Sequence, residues 1–424
     1  MLPRMTVLQV GDVHLPRTAM LGRHLDDKDR RFPTDLRQVL GEGPVKLVFR
    51  TLHRLLDQES KPLLLFMGDF AEQGKLQGYQ ACARYLAEAL QLGTGRRFSD
   101  LTLGIVPGNH DIDRALASKP GLKTKFQPLQ RALSDVGLPP LPIDAPIWLE
   151  ARNGACRIDV ALLNSCWGCG AKEFIPEEFR DGIATAIDAA LAAGTDERAI
   201  NSYYDRQLDT PAFSSETIQR LIDHAAKLPG GSLIVAVAHH NILPQRLPRL
   251  SPYTELVNAG VLRSALTSLG RAILYLHGHI HEDPVEIVSI PSGAPLLSIS
   301  APEISSGFNQ IDLVFTASGL PLTCSVRRWR FDESGVFQVR SRQIISIGSG
   351  HRRQPTTITS AIYEEIVKTH SSYWRTLVGI AKAAGAIDPE DTTEEALETI
   401  AADQLATIEN YDVGREHWIV RSKL

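Results

Sequence analysis

The 424-residue sequence is poor in cysteine and contains no long apolar segment. Its five cysteines are few and odd in number, which is typical of a reducing compartment and argues against a disulfide framework. No window approaches the roughly 18 consecutive apolar residues of a membrane-spanning helix, and the N-terminus lacks the pattern of a signal peptide. The sequence therefore predicts a cytoplasmic protein that is neither exported nor inserted into a membrane.

The sequence also lacks a strong excess of either positive or negative charge. The formal net charge is -4, which disfavours a protein that coats nucleic acid through bulk positive potential. Basic clusters at residues 326–330, 339–342 and 351–353 could contact phosphates, although such runs are usually solvated faces. Residues 381–424 carry ten acidic and four basic residues, so this C-terminal segment could dock a protein partner.

Two cysteines have CxxC spacing in the stretch SCWGCG, at positions 166 and 169. A structural zinc site would need two more ligands of similar grouping, and only Cys156 is nearby in the sequence. Buried thiols are therefore the favoured interpretation, with a redox or zinc role as the alternative.

Apolar runs of strand length alternate with helical patterns, as in PLLLFM at 62–67 and SLIVAVA at 232–238. The intervening helices are predicted near 44–58, 76–91 and 253–269. Continuous apolar strands separated by helices indicate a sheet covered on both faces. From about residue 285 to 345, short strands follow one another without helices. The predicted fold is therefore an α/β architecture, a layered β-sandwich flanked by helices.

Composition also predicts the domain organisation. Residues 1–346 are expected to form the sandwich, with a helical insertion at 170–230 that could be a lid, a partner surface or a packed excursion. A Gly-rich, Ser-rich and basic stretch at 347–357 predicts a linker to helical segments near 358–384 and 391–408. Residues 347–424 are therefore expected to be a linker and a small acidic α-helical extension.

Polar residues that could carry chemistry follow five predicted strands. GDVH follows VLQV, GDFAEQG follows LLLFM, PGNHD follows LGIV, HHN follows IVAVA, and HGHIH follows ILYL. Ligands of open α/β sheets bind outside the carboxyl ends of the strands, so these groups can converge on one site. Carboxylate, amide oxygen and imidazole suit Mn, Fe or Zn, and two such ions about 3.5–4 Å apart can clamp both oxygens of a phosphoryl transfer.

Glycines precede several of these polar residues, at Gly11, Gly68, Gly108 and Gly278. Glycine is expected there because the chain must turn sharply or let a phosphate approach the backbone closely.

The ordered set D-x-H, GD, GNHD, HH and GHxH resembles the calcineurin-like metallophosphoesterase superfamily over roughly residues 5–345. The resemblance implies a pair of divalent metal ions, with Mn expected and Fe, Zn or Ni as alternatives. It also implies that a metal-bridging hydroxide attacks phosphorus in line with the leaving group. The implied ligands are Asp12, His14 and His281 for one ion, Asn109, His239 and His279 for the other, and Asp69 as the bridge between them.

The resemblance implies two catalytic residues outside the ligand set. His110 would stabilise or protonate the leaving oxygen, and Asp111 would orient the His110 ring. Either His239 or His240 could be the metal ligand. His239 is favoured because it directly follows the apolar strand, which leaves His240 near the substrate or behind the ligands.

Three further residues are weaker candidates for substrate binding or for support of the ligands. Glu72 stands where many relatives carry an aspartate, and it could take that role with a longer side chain. Arg17 could reach a substrate phosphate, with an ordinary surface arginine as the alternative. The strand before HGHIH is expected to end near Leu276, which would make His277 a supporting neighbour of the site.

The substrate prediction rests on finer resemblances. GNHD is more similar to the phosphodiesterase and nuclease branches than to the protein phosphatases, and GDFAEQGKLQGYQ resembles the cyclic-nucleotide phosphodiesterases. The favoured interpretation is a phosphodiesterase whose substrate could be a nucleotide or a nucleic acid. A DNA or RNA nuclease is the main alternative, because GDVHL resembles the DNA-repair nucleases. A phosphomonoesterase and a non-catalytic protein-binding scaffold are further alternatives.

Overall fold

The computed structural model describes residues 1–14, 44–58, 62–71, 76–89, 101–117, 122–170, 210–243, 256–282, 284–289, 295–347 and 356–423, with a few isolated helical residues between 178 and 189. Most of the predicted 170–230 insertion and of the 347–357 linker lies outside these residues, as do Arg17 and Glu72. The domain boundaries therefore stay predictions. No helix in the described ranges is long and apolar enough to cross a membrane.

The elements alternate as the apolar pattern predicts. The strands are β1 (Arg4–Val10), β2 (Leu63–Phe66), β3 (Thr102–Ile105), β4 (Ile147–Asn153), β5 (Cys156–Leu162), β6 (Leu233–Val237), β7 (Ile273–His277), β8 (Val285–Val288), β9 (Leu296–Ser300), β10 (Gly307–Phe315), β11 (Pro321–Phe331), β12 (Phe337–Ser346), β13 (Ser371–Tyr373), β14 (Ala406–Glu409) and β15 (Ile419–Ser422). The α-helices are α1 (Pro44–Gln58), α2 (Leu76–Ala89), α3 (Arg114–Ala117), α4 (Gln127–Asp135), α5 (Ser215–Ala225), α6 (Ala259–Ser268), α7 (Thr357–Thr369), α8 (Trp374–Ala383) and α9 (Pro389–Ala402).

Two six-stranded mixed sheets form the sandwich. The first has the order β12-β11-β10-β1-β2-β3, and the second has the order β4-β5-β6-β7-β9-β8. β1, β2 and β3 run parallel, as do β5, β6, β7 and β9. Parallel neighbours present their carboxyl ends at the same edge of a sheet, so the residues that follow these strands are brought together.

The strands have apolar residues on both faces because both faces are covered. In β1, Met5 and Val7 pack between the sheets, whereas Leu8 and Val10 pack against the layer that contains α1, α2 and α4. Successive side chains of a strand point to opposite faces, so one run of apolar residues serves two core layers. A third buried cluster joins the other sheet to α5 and α6. The predicted α/β sandwich flanked by helices is therefore confirmed.

The C-terminal region differs from the purely helical extension that the sequence predicts. It contains α7, α8 and α9, and also a three-stranded sheet of order β13-β15-β14. The predicted helix at 358–384 is divided because His370, which caps α7, adopts a left-handed backbone conformation with φ 58°. The predicted helix at 391–408 ends at Ala402, and Ala406–Glu409 pairs with β15 instead.

A buried polar cluster joins α9 to the N-terminal strand and to β11. Glu394 accepts hydrogen bonds from the backbone N–H of Leu2 at 2.9 Å and from Arg4 Nη2 at 3.2 Å. We call the cluster the docking network. Its members are Arg4, Thr323, Glu394, Glu398, Tyr411 and Arg415.

Candidate metal centre

The predicted ligands come from the carboxyl ends of five strands, as the sequence pattern requires. Asp12 and His14 follow β1, Asp69 follows β2, and Asn109 lies in the 3-10 turn after β3. His239 follows β6 in the other sheet, and the residues after β7 supply His279 and His281. The candidate centre therefore lies where the two sheets of the sandwich present their carboxyl ends.

One group of donors consists of Asp12, His14 and His281. Their ligand atoms lie within 4.8 Å of one another. His281 Nε2 is 3.4 Å from His14 Nε2 and 3.5 Å from Asp12 Oδ1. The Asp12 side chain is fully buried, whereas that of His281 is 43% exposed, so this group reaches from the interior to the surface.

A second group is centred on His239. Its Nε2 atom lies 2.9 Å from Asn109 Oδ1 and 3.3 Å from Asp69 Oδ2, and its ring lies 5.1 Å from the His279 ring. Asp69 Oδ2 is also 3.9 Å from His14 Nε2 in the first group. Asp69 therefore lies between the two groups, at the position that a bridging carboxylate would take.

The electrostatic environment favours the protonation states that metal binding needs at Asp12, His14 and His279, but not at His239. Burial lowers the pKa of His14 and of His279 to about 3, so both imidazoles are neutral. Burial raises the pKa of Asp12, but its hydrogen bond and charge interaction with His281 outweigh that effect and hold the pKa at about 2. The pKa of His239 is different, since burial lowers it but the Asp69 carboxylate raises it to about 10. Neutral imidazole and ionised carboxylate are the forms that bind divalent ions.

Four candidate ligands have a strained backbone, and one of them has a buried nitrogen that is free to bind a metal ion. His14, Asp69, His279 and His281 all have positive φ, between 48° and 67°. A non-glycine residue in this region costs about 1–3 kcal/mol and persists where the surroundings enforce it. His279 Nε2 is buried without a hydrogen-bond partner among the described residues. A metal ion would use that lone pair, and Asp, Asn and His donors suit a divalent ion such as Mn, Fe or Zn.

Two glycines of the motifs, Gly108 and Gly278, make room for carboxylates of the candidate centre. A Cβ atom on Gly108 would lie 2.0 Å from Asp69 Oδ1, and one on Gly278 would lie 2.7 Å from Asp12 Oδ2. At these two positions the close approach comes from a protein side chain. Gly68 has φ +98° and is the sharp turn that the sequence predicts.

The two predicted catalytic residues lie in the turn after β3. The His110 ring is 4.9 Å from the His14 ring, and the His110 backbone N–H donates to Asp69 Oδ1 at 2.8 Å. Asp111 is buried and accepts backbone N–H groups of Phe70 and Gly108 at 2.8 and 2.9 Å. Asp111 therefore holds the loops after β2 and β3 together, and its predicted effect on the His110 ring stays a prediction.

His240 and His277 lie next to the candidate ligands. His240 Nδ1 is 2.9 Å from Ser165 Oγ, and the His240 ring is 4.4 Å from the His279 ring. His277 is buried, with Nδ1 3.1 Å from the Gly278 carbonyl oxygen. β7 extends through His277, one residue beyond the expected end, so His277 belongs to the strand.

The structure places the polar residues after β5 beside the site, which the sequence analysis does not predict. Ser165 contacts His240, and Cys166 and Cys169, the two cysteines of the CxxC stretch, form a further donor group with that histidine. The stretch NSC follows an apolar strand just as the five motifs do, and this is the signal for its position. Serine and cysteine are not ligands of the predicted metal pair, so the motif pattern alone does not include them.

The sequence matches one family model, and the fold is similar to that of several solved structures. The family model described as calcineurin-like phosphoesterase matches residues 5–283. No curated protein matches the sequence significantly. The chain is similar to a dimetal phosphatase from Danio rerio, with 13% identity and a TM-score of 0.42, over 81% of this chain and 99% of that one. It is also similar to a 5'-nucleotidase precursor from Thermus thermophilus, with 14% identity and a TM-score of 0.37, over 91% of this chain and 60% of that one.

A purple acid phosphatase from yellow lupin seeds is similar as well, with 10% identity and a TM-score of 0.42, over 82% of this chain and 54% of that one. These three structural similarities are low, whereas the family model covers most of the chain and all five strand-end motifs. On that match, the chain belongs to the calcineurin-like phosphoesterase family.

Proposed function

We propose that this protein hydrolyses phosphodiester bonds with a pair of divalent metal ions. The observation that carries the proposal is the position of Asp69 between two groups of donors, 3.3 Å from His239 and 3.9 Å from His14. A carboxylate shared by both groups could hold two divalent ions about 3.5–4 Å apart, the separation at which such a pair stabilises the attacking and leaving oxygens of a displacement.

The proposed ligands are those that the motif resemblance implies, because their positions agree with the two groups. One ion would be held by Asp12, His14 and His281, the other by Asn109, His239 and His279, with Asp69 shared. When bound, two divalent ions supply Lewis-acid polarisation of the phosphoryl oxygens and lower the pKa of water. Mn is the metal we favour, with Fe, Zn and Ni as alternatives that suit the same donors.

The surrounding residues orient the ligands and handle protons. Met67 contributes a carbonyl oxygen 2.7 Å from His239 Nδ1, which fixes the ring so that Nε2 faces Asn109 and Asp69. His110 is proposed to hold a proton for the leaving oxygen, because its ring lies beside His14 at the Asp69 side of the centre. Asp111 keeps the loop of His110 in place through the backbone of Gly108.

The motif pattern is what favours a diester over a monoester. A phosphate monoester carries about -1.5 to -2 charges at neutral pH because its second pKa is about 6, whereas a diester carries one negative charge. Two divalent ions would outweigh the charges of the Asp12 and Asp69 carboxylates, so the charge of the loaded centre suits either substrate. The choice of a diester rests instead on GNHD, which resembles the phosphodiesterase and nuclease branches.

The test is a substrate panel with the full-length protein. We expect bis(p-nitrophenyl) phosphate to be cleaved after addition of Mn, and we expect Asp69→Asn to abolish this cleavage. The panel adds p-nitrophenyl phosphate, cyclic nucleotides, and single- and double-stranded DNA and RNA. Cleavage of monoesters but not of small diesters would contradict the proposal. Degradation of linear nucleic acid with the same metal dependence would assign a nuclease instead. No turnover with Mn, Fe, Zn or Ni would indicate a scaffold.

A further inference from the structure

A third cluster of donor atoms lies beside the candidate metal centre. It consists of Cys166, Cys169 and His240, whose ligand atoms lie within 4.8 Å of one another and whose side chains are all buried. Cys166 Sγ is 3.9 Å from His240 Nδ1. The two cysteines lie on one turn, because the Cys169 N–H donates to the Cys166 carbonyl oxygen at 3.0 Å.

We propose that these three residues bind an additional thiophilic metal ion of the zinc class. Two thiolates and one imidazole select Zn or Cu(I) rather than the harder Mn, and structural zinc sites are built from such Cys and His ligands. Ser165 Oγ lies 2.9 Å from the same His240 nitrogen and offers an oxygen for a fourth position. Binding would release the two thiol protons to solvent, because metals bind the thiolate form.

The frame around the cluster is already organised. Buried Lys125 directs its ammonium group at the carbonyl oxygens of Trp167, at 2.7 Å, and of Cys169, which holds the CxxC turn. On the other side, Tyr275 Oη donates to the His240 carbonyl oxygen at 2.7 Å. Lys125 and Tyr275 thus hold the backbone of the donor residues without binding the ion themselves, which is what a preorganised metal site requires.

An ion at this cluster would join two strand ends, since Cys166 follows β5 and His240 follows β6. The Cys166 thiol donates to the carbonyl oxygen of Pro107 at 3.3 Å, and this hydrogen bond would be given up when the thiolate binds the ion. The His240 ring is 4.8 Å from the His239 ring. The ion would therefore have a structural role, fixing the loop that carries His239, a candidate ligand of the catalytic pair.

A redox-active dithiol is the weaker interpretation of the same residues. Burial raises the pKa of the Cys166 thiol well above its ordinary value, and a protonated thiol in an apolar site is a poor nucleophile for disulfide exchange. Metal binding overcomes this because the ion itself stabilises the thiolate. The cluster therefore fits a structural ion better than a redox switch.

Cobalt substitution of the full-length protein tests the proposal. We expect wild-type protein loaded with Co(II) to show a sulfur-to-cobalt charge-transfer absorption, and the zinc-loaded protein to show sulfur neighbours at about 2.3 Å in its X-ray absorption spectrum. Cys166→Ala/Cys169→Ala should lose both signals and bind one ion fewer. The matched control is Cys156→Ala/Cys324→Ala, which removes two buried thiols from the core between the sheets and should keep both signals.

The outcomes separate this site from the proposed catalytic pair. Asp69→Asn should lose phosphodiesterase activity but keep the sulfur-to-cobalt absorption, so failure of one proposal leaves the other standing. A wild-type protein that binds Co(II) without any sulfur signal would overturn the additional site and leave buried, hydrogen-bonded thiols. The wild-type spectra decide this even if the double variant does not fold.

Discussion

The candidate metal centre and the docking network are both charged, but they differ in how their carboxylates and imidazoles are paired and in their backbone conformation. In the docking network, all four carboxylate oxygens of Glu394 and Glu398 accept hydrogen bonds from other members or from the Leu2 backbone. One atom of the network, Arg4 Nε, is buried without a hydrogen-bond partner among the described residues. In the metal centre, His279 Nε2 has no hydrogen-bond partner among the described residues. Four candidate ligands there also have positive φ, whereas no member of the docking network does.

The difference distinguishes a structural cluster from a functional one. A buried carboxylate that is paired by protein groups has part of its desolvation offset within the fold. A buried donor that is left free, on a strained backbone, keeps a free-energy cost that only an external ligand can offset. Changes in the metal centre should therefore alter activity, and changes in the docking network should alter stability.

The largest expected effect is on activity, from His110→Ala. Loss of a group that protonates the leaving oxygen should lower kcat by about 10²–10⁴-fold, while the bound metal content and the free energy of unfolding stay unchanged. The measurements are steady-state kinetics, metal analysis and chemical denaturation. His417→Ala, at an exposed position of the C-terminal region, is the control and should keep full activity. A variant that loses metal together with activity would instead place His110 in the ligand set.

The second effect is on stability, from Glu394→Ala in the docking network. The change removes the acceptor of the Leu2 N–H and one of the carboxylate partners of Arg4 and of Arg415. Breaking a buried ion pair in this way should lower the free energy of unfolding by about 3–5 kcal/mol. The kcat of the folded variant should stay that of the wild type.

Glu390→Ala is the matched control for Glu394→Ala. Glu390 also pairs with Arg415, but its side chain is 58% exposed, so the expected cost is at most about 1 kcal/mol. Equal costs for the two variants, measured by urea denaturation, would show that burial does not set the strength of the network.

The smallest expected effect is a change of the free energy of unfolding with pH that is caused by Glu398. Burial raises the pKa of Glu398 above its ordinary value of 4.5, although Arg4 and hydrogen bonds from Tyr411 and Thr323 oppose the shift. The folded protein then binds more protons than the unfolded chain above pH 4.5. The stabilising contribution is therefore complete below that pH and is lost as the pH rises through the raised pKa.

Comparison with Glu398→Gln isolates this contribution. The free energy of unfolding of the wild type minus that of the variant should fall as the pH rises from 4.5, measured by denaturation of metal-free protein. A difference that rises with pH would mean that Arg4 lowers the Glu398 pKa more than burial raises it.

The sequence was sufficient to predict the β-sandwich and the strand ends at which the candidate metal centre lies. Apolar strands that are buried on both faces, each followed by Asp, Asn or His, bring those residues together once the strands run parallel. The sequence was insufficient for the C-terminal sheet, because β13, β14 and β15 are short and their pairing depends on residues far apart in the chain. A left-handed residue such as His370 also gives no reliable periodic signal.

By itself, then, the sequence determined which residue types stand at the strand ends, since apolar periodicity and turn residues are local properties of the chain. Only the tertiary structure decided which atoms meet there. It placed His240 against Cys166, 74 residues away in the chain, and Glu394 against Leu2, 392 residues away. It also showed that Gly108 and Gly278 make room for carboxylates. Such contacts depend on how sheets and loops pack in space. No local pattern in the sequence predicts which residues far apart in the chain come into contact.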